Sequence, residues 1–264
     1  MEIIEWKSLL TPYEYAVEEL KVKFKNIRNE LKGGGEYSPI EFVTGRVKKV
    51  ASIISKAKRL GVAMDEIEEK IEDIAGIRIM CQFVEDIYTV TSLIRSRNDM
   101  EVVYEKDYIN NYKESGYRSY HVIIKYPIQT AAGSKDILAE IQIRTLAMNF
   151  WATIEHSLRY KYDHFMPEDI AKRLRRAADA AFLLDQEMSE IREEIMKAQV
   201  MFEMRSTTTR DILDSIQELY RVGEDELAVS FQKEFDNIGG FEDLNTMIKL
   251  KKAIDNALKG IRKN

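Results

Sequence analysis

The chain has 264 residues, 45% of them hydrophobic and 32% charged, enough for one large domain or a domain with an appendage. Lys and Arg number 40 against 45 Asp and Glu, and the net charge of −5 argues against general affinity for nucleic acid or an anionic membrane. Cys81 is the only cysteine, which excludes an intrachain disulfide, and its apolar neighbours predict a buried thiol.

No stretch approaches the roughly 20 apolar residues that span a bilayer. The first ten residues carry early acids and read as neither a signal peptide nor an anchor. A soluble cytoplasmic protein is expected.

Residues 13–31 are predicted to form a helix, with Val17, Leu20, Phe24, Ile27 and Leu31 at spacings of three and four. Lys21, Lys25 and Arg28 form a separate stripe that, taken alone, reads as a solvated face. Gly33, Gly34 and Gly35 end the helix. Pro39 is expected to open a second helix that buries Val43, Val47, Val50, Ile54 and Ala57. Between Phe42 and Met64 there are six basic residues and no acidic one: Arg46, Lys48, Lys49, Lys56, Lys58 and Arg59. On a helix Arg46, Lys49 and Lys56 fall within roughly 80° of one another at the rim of the apolar stripe. That placement suggests an anion site, with a solubilising face as the alternative.

A short acidic helix is expected over residues 64–72. Asp73 then stands at the mouth of a strand over residues 76–83, as either a helix-end residue or a magnesium ligand. Along that strand Arg78 and Gln82 share the polar face. A helix over 86–97 and a strand over 101–108 follow, then a polar loop holding Lys113. Gly116 is expected to open a strand over 117–126 that Pro127 ends, with Tyr117, Ser119 and His121 on one face. From Ile137 another strand alternates Ile137, Ala139, Ile141 and Ile143 with Leu138, Glu140, Gln142 and Arg144. If the three polar faces share one sheet, they line a single cleft. The strand leads into an aromatic-rich helix, with Phe150 and Trp151 at its start, of a kind that is normally buried.

Pro167 is expected to open a long helix to about Arg205. Its residues Ile170, Leu174, Ala177, Ala181, Leu184, Met188, Ile191, Ile195, Ala198 and Phe202 repeat at four and three, a heptad seam that calls for another long helix in this chain or a second subunit. A polar break at 206–209 is predicted to precede three short amphipathic segments, over 211–222, 224–235 and 241–262. These read as a helical appendage for docking or regulation.

Four stretches, RVKKVASIISKAKR, EDIAGIRIMCQF, KESGYRSYHVIIKYP and AEIQIRTLAMNFWATIEHSLRYKY, together resemble the synthetase domain of the RelA/SpoT homologues. Within that family the chain is most similar to the stand-alone small alarmone synthetases of the tetrameric Q type. The similarity spans roughly residues 5–205. It implies an α+β fold: a mixed-sheet, nucleotidyltransferase-like core surrounded by helices, followed by the long heptad helix and a helical appendage. The implied domains are 1–205, the synthetase, and 206–264, an extension of unknown role that the family pattern does not match.

The resemblance also implies the chemistry. The β,γ-pyrophosphate of ATP passes to the 3′-hydroxyl of GDP or GTP, with Mg2+ as cofactor. Arg46 and Arg78 would sandwich adenine, and Lys48, Lys56 and Arg59 would neutralise the phosphates of ATP. Asp73 and Glu140 would be metal carboxylates, with Glu140 also a base. Tyr117 would stack on guanine, with Lys113, His121, Gln142, Arg144 and Asn149 on the acceptor side; His121 also counts among the catalytic candidates. Lys21, Lys25, Arg28, Glu41, Phe42 and Thr44 match an allosteric pppGpp site in a homotetramer. The hydrolase His-Asp motif of bifunctional relatives has no counterpart here, so synthesis without hydrolysis is expected. Two other readings stay open at this point: a pyrophosphokinase acting on adenosine nucleotides or the 3′ end of tRNA, and a regulator that binds single-stranded RNA.

Overall fold

The structure, a computed structural model, describes residues 5–131, 133–161, 166–238 and 244–261. Its contacts divide into two compact units, residues 1–189 and residues 190–264.

The first unit is built on a five-stranded mixed sheet in the order β1-β2-β5-β4-β3, comprising β1 (Phe42–Val47), β2 (Ala75–Cys81), β3 (Glu101–Asp107), β4 (Tyr120–Thr130) and β5 (Gly133–Thr145). Only the central pair β2 and β5 is parallel; every other pair is antiparallel. The α+β expectation therefore holds. Alternation along β2 and β5 sends Ile77, Ile79, Ile141 and Ile143 into a core where none is exposed. Helices α1 (Trp6–Gly33) and α4 (Val84–Arg95) supply Val17, Leu20, Phe24, Ile87, Val90 and Ile94 to the same core. Cys81 is fully buried there, and burial pushes its thiol well above the ordinary cysteine value.

Several predicted elements differ from the structure. The strand expected from Tyr117 starts at Tyr120, so Tyr117 and Ser119 stand in the loop before β4. The expected helix from Pro39 is two elements: β1, then α2 (Val50–Leu60), which buries Ile53 and Ala57. Residues Phe42, Val43, Thr44 and Val47 are aromatic or β-branched and pair with β2, so tertiary pairing overrides a spacing that also fits a helix. The helical arc joining Arg46 to Lys49 and Lys56 is thus not formed; Arg46 stands on a strand. Pro127 does not end β4. The pairing of β4 with β3 stops at Lys125, so the missing N–H of Pro127 falls where β4 has only β5 beside it. The α5 helix (Leu146–Lys161) starts at Leu146 and buries Trp151 but leaves Phe150 67% exposed, so only one of the two aromatics turns inward.

The long helix α6 (Glu168–Arg221) runs through the expected break at 206–209. That stretch contains neither Gly nor Pro, and the hydroxyl of Thr208 donates to the Met204 carbonyl 2.8 Å away, a bond a helix accommodates. The heptad seam continues in phase as Ile212, Ile216 and Leu219. These three are buried in the second unit against Ala228 of α7 (Asp225–Asn237) and Met247, Leu250 and Ile254 of α8 (Leu244–Ile261). The first predicted C-terminal segment is therefore part of α6. Gly239 and Gly240, between the second and third predicted segments, and the start of the third lie outside the described residues.

Within the first unit α6 docks on α5. The Trp151 indole N–H donates to the Leu174 carbonyl at 2.8 Å. The Thr145 hydroxyl accepts from the Met148 N–H at 3.0 Å, capping α5, and donates to Asp185 at 2.6 Å. Burial pushes the Asp185 carboxyl up to about 6; Thr145 opposes that shift and Glu85 adds to it.

Two predictions follow from this packing. A Cβ at Gly45 would lie 2.9 Å from both Ile77 and Val17, so Gly45→Val should cost about 1–3 kcal/mol in urea unfolding at unchanged m. For Asp185, folding takes up a proton between about pH 4 and pH 6, so ionisation destabilises the native state as pH rises through that window. Asp185→Asn should therefore raise the unfolding midpoint at pH 8 and lose that advantage near pH 4.

Candidate active site

The face of the sheet opposite α1 and α4 carries the polar residues. Parallel pairing sets Arg78 beside Gln142 and Gly76 beside Glu140, while antiparallel pairing sets His121 beside Gln142 and Thr44 beside Arg78. Four strands thus bring their polar positions to one surface. A pocket on it is lined by Thr44, Gly45, Arg46, Asp73, Gly76, Ile77, Arg78, Glu140 and Gln142. Gly76, paired with Arg46 and Glu140, keeps the pocket floor low, while Gly45 lines it through backbone and would turn a side chain to the core; sequence reasoning passed over both. The signal was a residue without a side chain in the alternating pattern of a strand.

Five of the predicted residues form one hydrogen-bonded network. Arg144 donates to the Tyr117 hydroxyl at 2.5 Å and to the Gln142 carbonyl oxygen at 2.8 Å. Gln142 donates to Glu140 Oε2 at 2.7 Å. His121 lies 2.8 Å from both the Tyr117 hydroxyl, through Nε2, and Glu140 Oε1, through Nδ1. One tautomer satisfies both partners: the Tyr117 hydroxyl donates a hydrogen bond to Nε2, and Nδ1–H donates one to Glu140. Burial and, less strongly, the charge of Asp73 raise the Glu140 pKa; the His121 and Gln142 contacts outweigh them and leave the carboxylate below its ordinary value. Arg144 also donates to the Ser119 hydroxyl at 3.1 Å.

Asp73 is held by Lys48 at 2.6 Å and Lys56 at 2.8 Å. Burial again works against its charge, and the two ammonium groups overcome it to lower the pKa. Next to it, Glu72 accepts from the Tyr104 hydroxyl, which itself accepts from Lys106 at 3.2 Å. That chain from β3 was not foreseen. Arg78 feels burial first, then the like charges of Arg144 and Arg46, and its pKa falls. Guanidinium groups gathered this way repel one another and are relieved by an anion or a π-face.

On the far side, the Lys113 ammonium stands 4.8 Å from the Tyr108 ring centroid and 5.0 Å from that of Tyr117. Tyr108 meets Tyr117 and His121 edge to face. It too was missed, because a single tyrosine in a loop carries no periodic signal.

Not every candidate joins these groups. Arg59 is exposed on α2 and Asn149 is half-buried on α5; neither lines the pocket. Of the six allosteric candidates, Lys21 pairs with Glu18 at 2.7 Å, and Glu41 lies 3.7 Å from Lys32 and accepts from Gln82 at 3.0 Å. Lys25 and Phe42 are exposed, and the Arg28 Nε is buried without a hydrogen-bond partner. Thr44 lines the pocket beside Arg46.

Residues 45–164 match the region found in RelA / SpoT proteins. Over 202 residues the chain is 57% identical to the GTP pyrophosphokinase YjbM of Bacillus subtilis, covering 76% of this chain and 95% of that protein. This chain is a member of the small alarmone synthetase family. Its fold matches the crystal structure of small alarmone synthetase 1 from Bacillus subtilis bound to its product pppGpp, with a TM-score of 0.70 and 59% identity over 72% of this chain and 98% of that one. The same enzyme bound to AMPCPP matches with a TM-score of 0.66 and 54% identity over 73% and 98%. About a quarter of this small alarmone synthetase family member therefore lies outside each match.

Proposed function

We propose that this chain is a GTP pyrophosphokinase that transfers the β,γ-pyrophosphate of ATP to the 3′-hydroxyl of GDP or GTP, yielding ppGpp or pppGpp and AMP. What carries the reading is the polar sheet face, in a chain 57% identical to a GTP pyrophosphokinase. It joins two ionised carboxylates, a set of cations and a Tyr–His pair around one cleft. The alternative acceptors and the RNA-binding role have no observation in their favour.

Each group has a task in that reaction. Arg46 and Arg78 sit diagonally on adjacent strands with Gly76 and Thr44 between them, room for a flat base held between guanidinium planes. Lys48, Lys56 and Arg59 answer the charge of the triphosphate. The Tyr117 ring takes guanine, with Lys113, Gln142, Arg144 and Asn149 holding the acceptor's polar groups. The 3′-oxygen attacks the β-phosphorus, the bond from that phosphorus to the oxygen of AMP breaks, and Glu140 accepts the hydroxyl proton. His121 fixes the rotamer of Glu140 and ties it to Tyr117, so acceptor and base are aligned through one imidazole.

Asp73 and Glu140 line one pocket and offer hard carboxylate oxygens, a donor set that fits Mg2+. Among the described residues no cluster of three or more metal-binding side chains is present, so phosphate and water oxygens would complete the ion's shell. When bound, Mg2+ neutralises charge on the transferred group. The chain works in the cytoplasm on this reading; among the described residues no helix is long and apolar enough to cross a membrane.

We also place pppGpp at Lys21, Lys25, Arg28, Glu41, Phe42 and Thr44 as an activator in a homotetramer. Two observations support this: the unpartnered Nε of Arg28, and the uncovered heptad positions Ile191, Ile195 and Phe202, which are 44–63% exposed.

With Mg-ATP and GDP or GTP, nucleotide chromatography should show (p)ppGpp and AMP in equal amounts; AMP without a guanosine product would sink the proposal. Glu140→Gln should retain the fold by circular dichroism and lose synthesis by about two to four orders of magnitude. Added pppGpp should raise the initial rate, and Lys25→Ala should abolish that increase while basal synthesis persists.

A further inference from the structure

The loop between β3 and β4 holds Lys113 and Tyr117, yet its residues 108–119 have little regular structure of their own. A turn closes through the Gly116 N–H and the Lys113 carbonyl at 2.8 Å, and the Lys113 N–H reaches the Tyr117 carbonyl at 3.2 Å. Neither bond sets where the turn sits over the cleft.

Helix α6 does. The Arg118 side chain, only 7% exposed, is buried against α6. Its guanidinium lies between two rings, 4.3 Å from the centroid of Tyr112 and 4.4 Å from that of Phe182 on α6. It donates to the Gly116 carbonyl at 3.3 Å and to Asp179 on α6 at 3.4 Å. Arg175, also on α6, donates to the Glu114 carbonyl at 3.0 Å. Gly116 has φ of +88°, and a Cβ there would stand 2.6 Å from the Cβ of Ala178. Backbone of the loop therefore rests directly on the helix, and only glycine allows both the conformation and the approach.

We infer that Arg118 is a positioning residue for the nucleotide acceptor, which clamps the loop carrying Lys113 and Tyr117 onto α6 and so sets how tightly GDP or GTP binds. The inference rests on the proposed role of Tyr117. It gives α6 a task at the active site from the side away from the ATP pocket, whose lining includes no residue of this clamp. A buried guanidinium stacked on two rings needs planarity as well as charge, so lysine is a poor substitute. Asp179 is half-exposed, with its side chain at 47%, so its removal weakens the clamp at little cost to the fold.

The test compares Arg118→Gln, Arg118→Lys, Asp179→Ala and Tyr117→Ala in the full chain. Steady-state kinetics give KM for GDP and for ATP separately, and calorimetry gives GDP affinity without turnover. Arg118→Gln should raise the KM and Kd for GDP about tenfold with the ATP KM within about twofold. Arg118→Lys should recover only part of that loss, and Asp179→Ala should show a smaller rise in the same direction. If Arg118→Gln fails to fold, Asp179→Ala decides: an unchanged GDP Kd overturns the clamp. A lower melting temperature with both KM values unchanged overturns it too, since that is a purely structural role. If Tyr117→Ala raises the GDP KM and the Arg118 variants do not, the clamp alone is wrong. If neither residue moves it, the acceptor assignment has failed with it.

Discussion

The pairing of β5 between β2 and β4 is the constraint on which the rest depends. Both edges of β5 are taken, so its alternation cannot drift. A slip of one residue would drive Glu140, Gln142 and Arg144 into the isoleucine core and expose Ile141 and Ile143. Burial of those isoleucines, each worth about 1.5–3 kcal/mol, therefore aims the polar side chains as firmly as it holds the sheet together. Because the β2 pair is parallel, Arg78 and Gln142 stand side by side at the same level, and Asp73, just ahead of β2, arrives near Glu140. The apolar face supplies the energy and the polar face receives the geometry.

Charge on the polar face is balanced in two different ways. The carboxylates are satisfied within the chain: Asp73 by two lysines, Glu140 by His121 and Gln142. The arginines are not balanced to the same degree: burial lowers the Arg78 pKa first, and its neighbours Arg144 and Arg46 lower it further. A site left net cationic at its guanidiniums stores repulsion that a polyphosphate removes, so the apo electrostatics favour anionic nucleotides before any contact is specified. The lysines that hold Asp73 are the same groups assigned to the ATP phosphates, and substrate and carboxylate then share one set of cations.

Much of the site was legible in strand alternation. Three polar rows, on residues 78–82, 117–121 and 140–144, were visible as rows. Their convergence needed the sheet order, which alternation does not contain. The β1 strand was misread because Val43, Val47 and Val50 are spaced by four and three, and the alternation of Val43, Gly45 and Val47 is weakened by a glycine. That glycine exists because α1 approaches the strand closely there, a tertiary fact with no local trace. The supposed break at 206–209 failed for a different reason. Ser and Thr are weak helix formers but do not remove a backbone donor, and continued burial at Ile212, Ile216 and Leu219 outweighs a few tenths of a kcal/mol per residue of propensity.

The misread helix matters most for how function is organised. With a break after Arg205, the C-terminal residues would hang from the synthetase by a polar joint. Without one, α6 is a single element whose early turns hold Arg118, cap the approach to Gly116 and bind Thr145 through Asp185, and whose last turns form one wall of the second unit. The loop over residues 108–119 is held from two sides, by Arg144 and His121 of the sheet at Tyr117 and Ser119, and by α6 at Glu114, Gly116 and Arg118. The pocket framed by β1, β2 and β5 stands on a separate support, since no residue of α6 lines it.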